Sequence, residues 1–249
     1  MRENVVSGHA ASWAELRSCV ERCIFQDCPR NIGGRLHVFF ERKEDSLAQI
    51  RFVGVSQDPG VTLRSKHHLT TGEEIETALR RDARKEFEPS ENVARNPRDR
   101  IRQIFQRGFD PSTGDIYWTH ALKCLPVQND KEIDDHWEKS APLCVKYFKK
   151  ELDLIPSKKL MVIVFGGYAL AMCLHVLDGG PLVNSQRVME YIRTCNIDRK
   201  FPYGDKEVSL FPFLHPAHRY AHADYGIEMR ERQFVRRIRD VQEQNELPE

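Results

Sequence analysis

"RFVGVSQDPG", residues 51–60, decides how the chain is read: a hydrophobic run stops at Ser56, and Asp58, Pro59 and Gly60 follow within four positions. A short apolar run closed by turn residues is the mark of a strand buried on both faces. Residues 50–55 form such a run, and residues 116–122, 160–165 and 208–214 repeat it. A shorter candidate, "RLHVFFE", lies at 35–41 after the turn "CPRNIGG". Helical patterns separate the runs, notably residues 140–152, where Ser140 and Pro142 supply a start signal. Strands alternating with helices predict an α/β fold whose parallel sheet is covered on both faces.

Outward from this centre, Ser12 and Glu15 fit a capping box, and Trp13, Leu16, Val20 and Ile24 fall at helical spacing behind it. Residues 227–244 read as a basic amphipathic helix, with Phe234, Ile238 and Val241 on one face and Arg230, Arg236, Arg237 and Arg239 mostly elsewhere. Segment 62–108 is a charged insertion of mixed sign and weak periodicity. A single domain over 1–249 accounts for all of this, with residues 1–30 forming an N-terminal helix and cysteine segment. The chain has 249 residues, 40% hydrophobic, which suffices for a real core.

The 38 basic and 37 acidic residues give a net charge of +1, so a nucleic-acid partner would have to meet a local basic face. "MRENVVSGHAASW" carries no apolar signal core and no run approaches about 18 apolar residues, so a cytoplasmic protein without membrane contact is expected. Seven cysteines in that setting point to metal binding or plain burial rather than to a disulfide framework. No glycine-rich phosphate loop follows any strand, which argues against a nucleotide cofactor and disfavours a nucleotide-binding enzyme with structural zinc.

In an open parallel sheet, ligands bind beyond the carboxyl ends of the strands. Here those ends read "SQDPG", "THALKC", "FGGYA" and "LHPAH", so polar and glycine-rich residues from four distant parts of the chain are expected at one sheet edge. These stretches, in this order, resemble the uracil-DNA glycosylase superfamily over roughly residues 19–225. "QDPG" resembles its first motif and "LHPAH" its last. "TxAxKCxP" at 119–126 and "IVFGGYA" at 163–169 are similar to the iron–sulfur branch. The resemblance implies a three-layer α/β/α fold around a four-stranded parallel sheet and a DNA glycosylase, monomeric as suits a DNA-scanning enzyme.

By that resemblance, Asp58 orients a water and supports the positive charge that builds on the sugar, and His215 donates a hydrogen bond to a carbonyl of the departing base. Gln57, Gly60 and His120 would contact the base, and Gly166, His218, Arg219 and Tyr220 the DNA, with Arg219 and Tyr220 filling the gap left by the flipped nucleotide. The resemblance also gives Cys28, Cys124 and Cys144 as cluster ligands, with Cys23 as the fourth and Cys19 as its substitute. Four thiolates suit a [4Fe–4S] cluster or tetrahedral zinc, and spacing does not decide between them. Cys173 and Cys195 match no ligand position and are expected in the core.

Two departures bear on the substrate. Where the family has an asparagine that reads the uracil edge stands His120, and an imidazole does not offer an amide's paired donor and acceptor. After Gly60 the chain runs into "VTLRSKHHLTTGEE", without the family's aromatic platform. These changes favour a modified pyrimidine over uracil, in repair or in defence against viruses with modified DNA. No lysine is placed convincingly for Schiff-base chemistry, which makes the enzyme monofunctional; the side taken by Lys123 stays open. The alternative is a protein of the same fold that captures damaged or modified DNA without turnover.

Overall fold

The computed structural model describes residues 12–21, 23, 50–57, 116–123, 133–182, 191, 199–213 and 235–236. Their elements are α1 (Trp13–Glu21), β1 (Phe52–Ser56), β2 (Ile116–His120), α2 (Ile133–Leu154), β3 (Lys159–Phe165), α3 (Gly167–Asp178), β4 (Lys200–Tyr203) and β5 (Lys206–Phe213). The strands form one sheet in the order β2-β1-β3-β5-β4. All four expected strands are present. β1, β2, β3 and β5 run parallel, and β4 pairs antiparallel with β5.

The expected four-stranded parallel sheet is therefore a five-stranded mixed one. β4 escaped the reading because an edge strand need not be apolar. "KFPY" carries Pro202 and two outward residues, which a strand with one unpaired side tolerates. The two residues Gly204 and Asp205 turn it into β5, and Gly204 takes φ 60°, where a side chain would be strained. Pro212 sits in β5 opposite Val164, beyond the stretch that β4 pairs. Glu207 donates its N–H to Lys158 on the β3 side, so by alternation residue 212 faces away from β3, and its missing N–H takes no bond from the β3–β5 ladder.

β3 is buried at every position from Leu160 to Phe165, as expected for a central parallel strand. On one face, Val53, Val55, Tyr117, Leu160, Val162, Val164, Val208 and Leu210 share a core with Trp13, Leu16 and Val20 of α1, Trp137, Val145 and Phe148 of α2, and Leu170 and Met172 of α3. Each such aliphatic or aromatic side chain contributes about 1.5–3 kcal/mol of burial. Ser12 caps α1 as expected: its Oγ accepts from the Glu15 N–H at 3.2 Å. Trp13 then packs on Tyr117 with ring centroids 5.0 Å apart.

α2 begins at Ile133 rather than at 140, so Ser140 and Pro142 lie inside it. Pro142 and Glu138, whose carbonyl loses its partner to the proline, are both exposed, and water can serve that carbonyl. At the far end of α2, Lys206 donates to the carbonyls of Leu152 and Asp153, and the Tyr203 hydroxyl donates to Asp153 and to the Lys149 carbonyl. The β4–β5 hairpin thus holds the helix C-terminus. Burial and Asp153 push the Tyr203 phenol up.

The strand expected at 35–41, the insertion 62–108 and the loop 216–226 lie outside the described residues, as does the helix expected at 227–244 except for Val235 and Arg236, which are helical; the described helices α1, α2 and α3 share one core.

Candidate functional site

Parallel register brings the carboxyl ends of the strands into one line. Ser56 pairs with His120, Val55 with Val164, and Phe165 with Phe213. Across the edge the row reads His120, Ser56, Phe165, Phe213, and register partners share a face of the pleat. The pairing continues past the strands: Ala121 donates to the Ser56 carbonyl at 2.8 Å, Leu122 to Gln57 at 2.9 Å, and Gly166 to Phe213 at 2.9 Å. Gln57, His120 and Gly166, three of the expected site residues, therefore stand at one edge. Asp58, Gly60, His215, His218, Arg219 and Tyr220 lie outside the described residues. In sequence, Asp58 directly follows Gln57, and His215 is two residues beyond Phe213.

The face that carries His120 is aromatic. Trp118 stacks on Phe165 at 5.8 Å, Phe165 on Phe213 at 5.7 Å, and Phe213 meets Phe211 at 5.1 Å. Trp118 belongs to β2 and Phe165 to β3, so the indole must cross β1, which it does over Gly54. A Cβ on Gly54 would collide with Cε3, Cζ3 and Cδ2 of that ring. This aromatic layer was not expected. Its signal was present in the alternate positions of "IYWTH", "KLMVIVF" and "KEVSLFPF", but only the register shows that they adjoin.

His120 is 8% exposed. Burial first, and the nearby Lys123 second, lower its pKa to about 3. The imidazole is thus neutral across the physiological range, with one ring nitrogen donating and the other accepting.

Under the opposite face lies a charged network. The Lys123 ammonium donates to both carboxylate oxygens of Glu151 at 2.7 and 2.6 Å, to the His120 carbonyl at 2.7 Å, and to Thr119 Oγ1. Thr119 and Tyr117 donate in turn to the same carboxylate, at 2.8 and 3.0 Å. Lys123 and Glu151 are 1% and 0% exposed. Burial pushes the Glu151 carboxyl up, while Lys123, Thr119 and Tyr117 oppose that rise. The side taken by Lys123 is now settled: it turns toward α2, with Thr119 and away from the His120 ring. The "TxAxK" spacing marked Thr119 and Lys123, but nothing in the sequence linked them to Glu151.

Gly166 takes φ 84° between β3 and α3, a backbone that favours glycine, and so permits the abrupt strand-to-helix turn at the edge. Of the expected metal ligands, Cys23 and Cys144 are described. Cys144 is buried in α2, Cys19 and Cys23 pack against the same core, and Tyr147, one turn from Cys144, donates to the Cys19 carbonyl at 3.4 Å. Cys28 and Cys124 lie outside the described residues. Among the described residues, no three His, Cys, Asp or Glu side chains are grouped to hold a metal. Cys173 is buried as expected, and burial pushes its thiol up. No described helix is long and apolar enough to cross a membrane.

No protein-family model matches the chain, and no curated protein matches it.

Proposed function

We propose that this chain is a monofunctional DNA glycosylase that flips a pyrimidine, more readily a modified one than uracil, and hydrolyses its N-glycosidic bond. The supporting observation is the row of carboxyl ends of four strands, three expected site residues among them, along one sheet edge. In this reading Asp58 orients the water whose oxygen attacks the sugar C1′. The bond to the base breaks with its electron pair leaving on the base, the proton lost by the water passes to the Asp58 carboxylate and through solvent to the departed base, and His215 donates a hydrogen bond to the carbonyl where the charge collects. His120, with a neutral imidazole, would contact the base, and the partly buried Trp118 on the same face is the described aromatic nearest in kind to the platform the sequence lacks.

Two features favour a hydrolytic reaction without strand cleavage. Lys123, which lies beside the edge, is committed to Thr119, the His120 carbonyl and the Glu151 carboxylate and is not placed to attack an aldehyde. It also lies on the face away from the His120 ring. Cys23, Cys28, Cys124 and Cys144 would hold a [4Fe–4S] cluster, or zinc in its place. Cys19, Cys23 and Cys144 pack against one core at the α1–α2 seam, and since they are not themselves grouped to hold a metal, Cys28 and Cys124 would have to complete the site. Such a group would act as a clamp between the N-terminal segment and α2.

Base release from duplex and single-stranded DNA carrying uracil, hydroxymethylcytosine or glucosylated hydroxymethylcytosine tests the reading, with abasic sites revealed by alkali. Release of a modified base, reduced at least about 100-fold by Asp58→Asn, is expected, the scale on which a group acting on the transition state is felt. Tight binding without release from any substrate would mean a DNA-capturing protein.

A further inference from the structure

We propose that the buried Lys123–Glu151 pair is a positioning device: through the Lys123 bond to the His120 carbonyl it sets the turn 120–123 and so the placement of His120 at the sheet edge. The assignment of His120 to the site rests on the glycosylase reading; the fixing of the turn does not.

The geometry points past simple stabilisation. A buried ion pair is a poor source of stability, because removing two charges from water costs roughly what their attraction returns, and apolar replacements often fold as well. What this pair does add is direction. Lys123 lies four residues after Thr119 and three after His120, and its ammonium reaches back to both, closing the turn on itself. An ammonium has three donors, and three groups, the Thr119 hydroxyl, the His120 carbonyl and the Glu151 carboxylate, take them all. Thr119 accepts from Lys123 and donates its hydroxyl hydrogen to the Glu151 carboxylate, so donors and acceptors run in one direction through the network. Glu151 is anchored on α2, three residues from the helix end.

The turn is therefore fixed from two sides. On the sheet side, the Ala121 and Leu122 amides bond to the Ser56 and Gln57 carbonyls. On the helix side, the ammonium holds the carbonyl of His120. With that peptide fixed at both ends, the His120 side chain leaves β2 on the aromatic face beside Ser56. The two amide bonds join the end of β2 to Ser56 and to Gln57, the residue before Asp58, so a shift of this turn reaches two motifs at once.

The test is site-resolved amide hydrogen exchange on the full chain, with base release measured alongside. Lys123→Met alone strands the Glu151 carboxyl and can unfold the protein. The decisive variant is therefore the double substitution Lys123→Met/Glu151→Met, which leaves no buried charge. It is expected to fold, with exchange at Ala121 and Leu122 faster by about tenfold, the equivalent of one lost buried hydrogen bond, while Val162 and Ile163 of β3 keep wild-type protection. Thr119→Val should loosen the same two amides and Thr119→Ser should not. Wild-type exchange at Ala121 and Leu122 in the double variant, or an equal rise across β3, would overturn the proposal and leave the pair a structural one.

In a catalytically active chain, the double variant should also lose at least about tenfold in kcat/KM for base release, the scale of a misplaced contact group. If the wild-type chain releases no base, the glycosylase reading fails, and the exchange result still decides the fixing of the turn.

Discussion

The two faces of the sheet at its carboxyl edge are built from opposite materials. Toward the helices, alternate residues of β2 are Tyr117 and Thr119, and they meet Lys123 and Glu151 in a charged, fully buried network. On the other face, Trp118 and His120 of the same strand stand beside Phe165 and Phe213, with the neutral His120 imidazole and the Ser56 hydroxyl as the polar groups of the row. A period of two in one five-residue strand produces both. The contrast teaches that full charges here hold backbone in place, whereas the layer that reaches the edge on the other face is aromatic and uncharged, with Phe165 and Phe213 buried and Trp118 partly so.

The comparison is broken most severely on its charged side. Glu151→Leu would leave the Lys123 ammonium buried without its counter-ion, and a loss of about 3–5 kcal/mol is expected in chemical denaturation. A loss below about 1 kcal/mol would mean that the pair is hydrated in solution.

On the aromatic side, His120 should make the fold acid-sensitive. Its folded pKa of about 3 lies below the ordinary value of about 6.5, so between these limits the unfolded chain binds the extra proton. Stability from keeping His120 neutral is then complete above pH about 6.5 and lost as pH falls toward 3, by up to on the order of 4 kcal/mol. Denaturation midpoints measured from pH 7.5 to 4 should fall less steeply in His120→Phe than in the wild type. Parallel curves would place the imidazole in contact with water.

Gly54→Ala is the smallest of the three changes. The added methyl meets the Trp118 ring, and overpacking of this kind costs about 1–3 kcal/mol. A shift in Trp118 emission in a Trp13→Phe/Trp137→Phe background would report that the indole has left its place over β1. Unchanged emission and stability would mean that it never lay there.

Legibility in the sequence followed the same division. The four parallel strands were readable because burial on both faces makes continuous apolar runs, as in "KLMVIVF". β4 was not, since Pro202 and the lysine at 200 look like loop. The start of α2 was displaced by Ser140 and Pro142, which signal a helix start but here sit within one. The place of Gln57, His120 and Gly166 at the carboxyl edge was legible because each closes or follows an apolar run read as a parallel strand. Glu151 was invisible: amid "FKKELDL" it reads as a surface residue of a charged helix, and its partner lies 28 residues away. The aromatic row was missed for a related reason, since its members come from three strands and meet only through register.

The most direct measurement of the central claim is base release by the full chain from DNA carrying uracil, hydroxymethylcytosine or glucosylated hydroxymethylcytosine, with Asp58→Asn and His215→Ala alongside. A monofunctional glycosylase built this way should leave abasic sites from a modified pyrimidine, fewer from uracil, no strand cleavage before alkali, and no release in either variant. Absence of release from every substrate, or release that both variants retain in full, would contradict it.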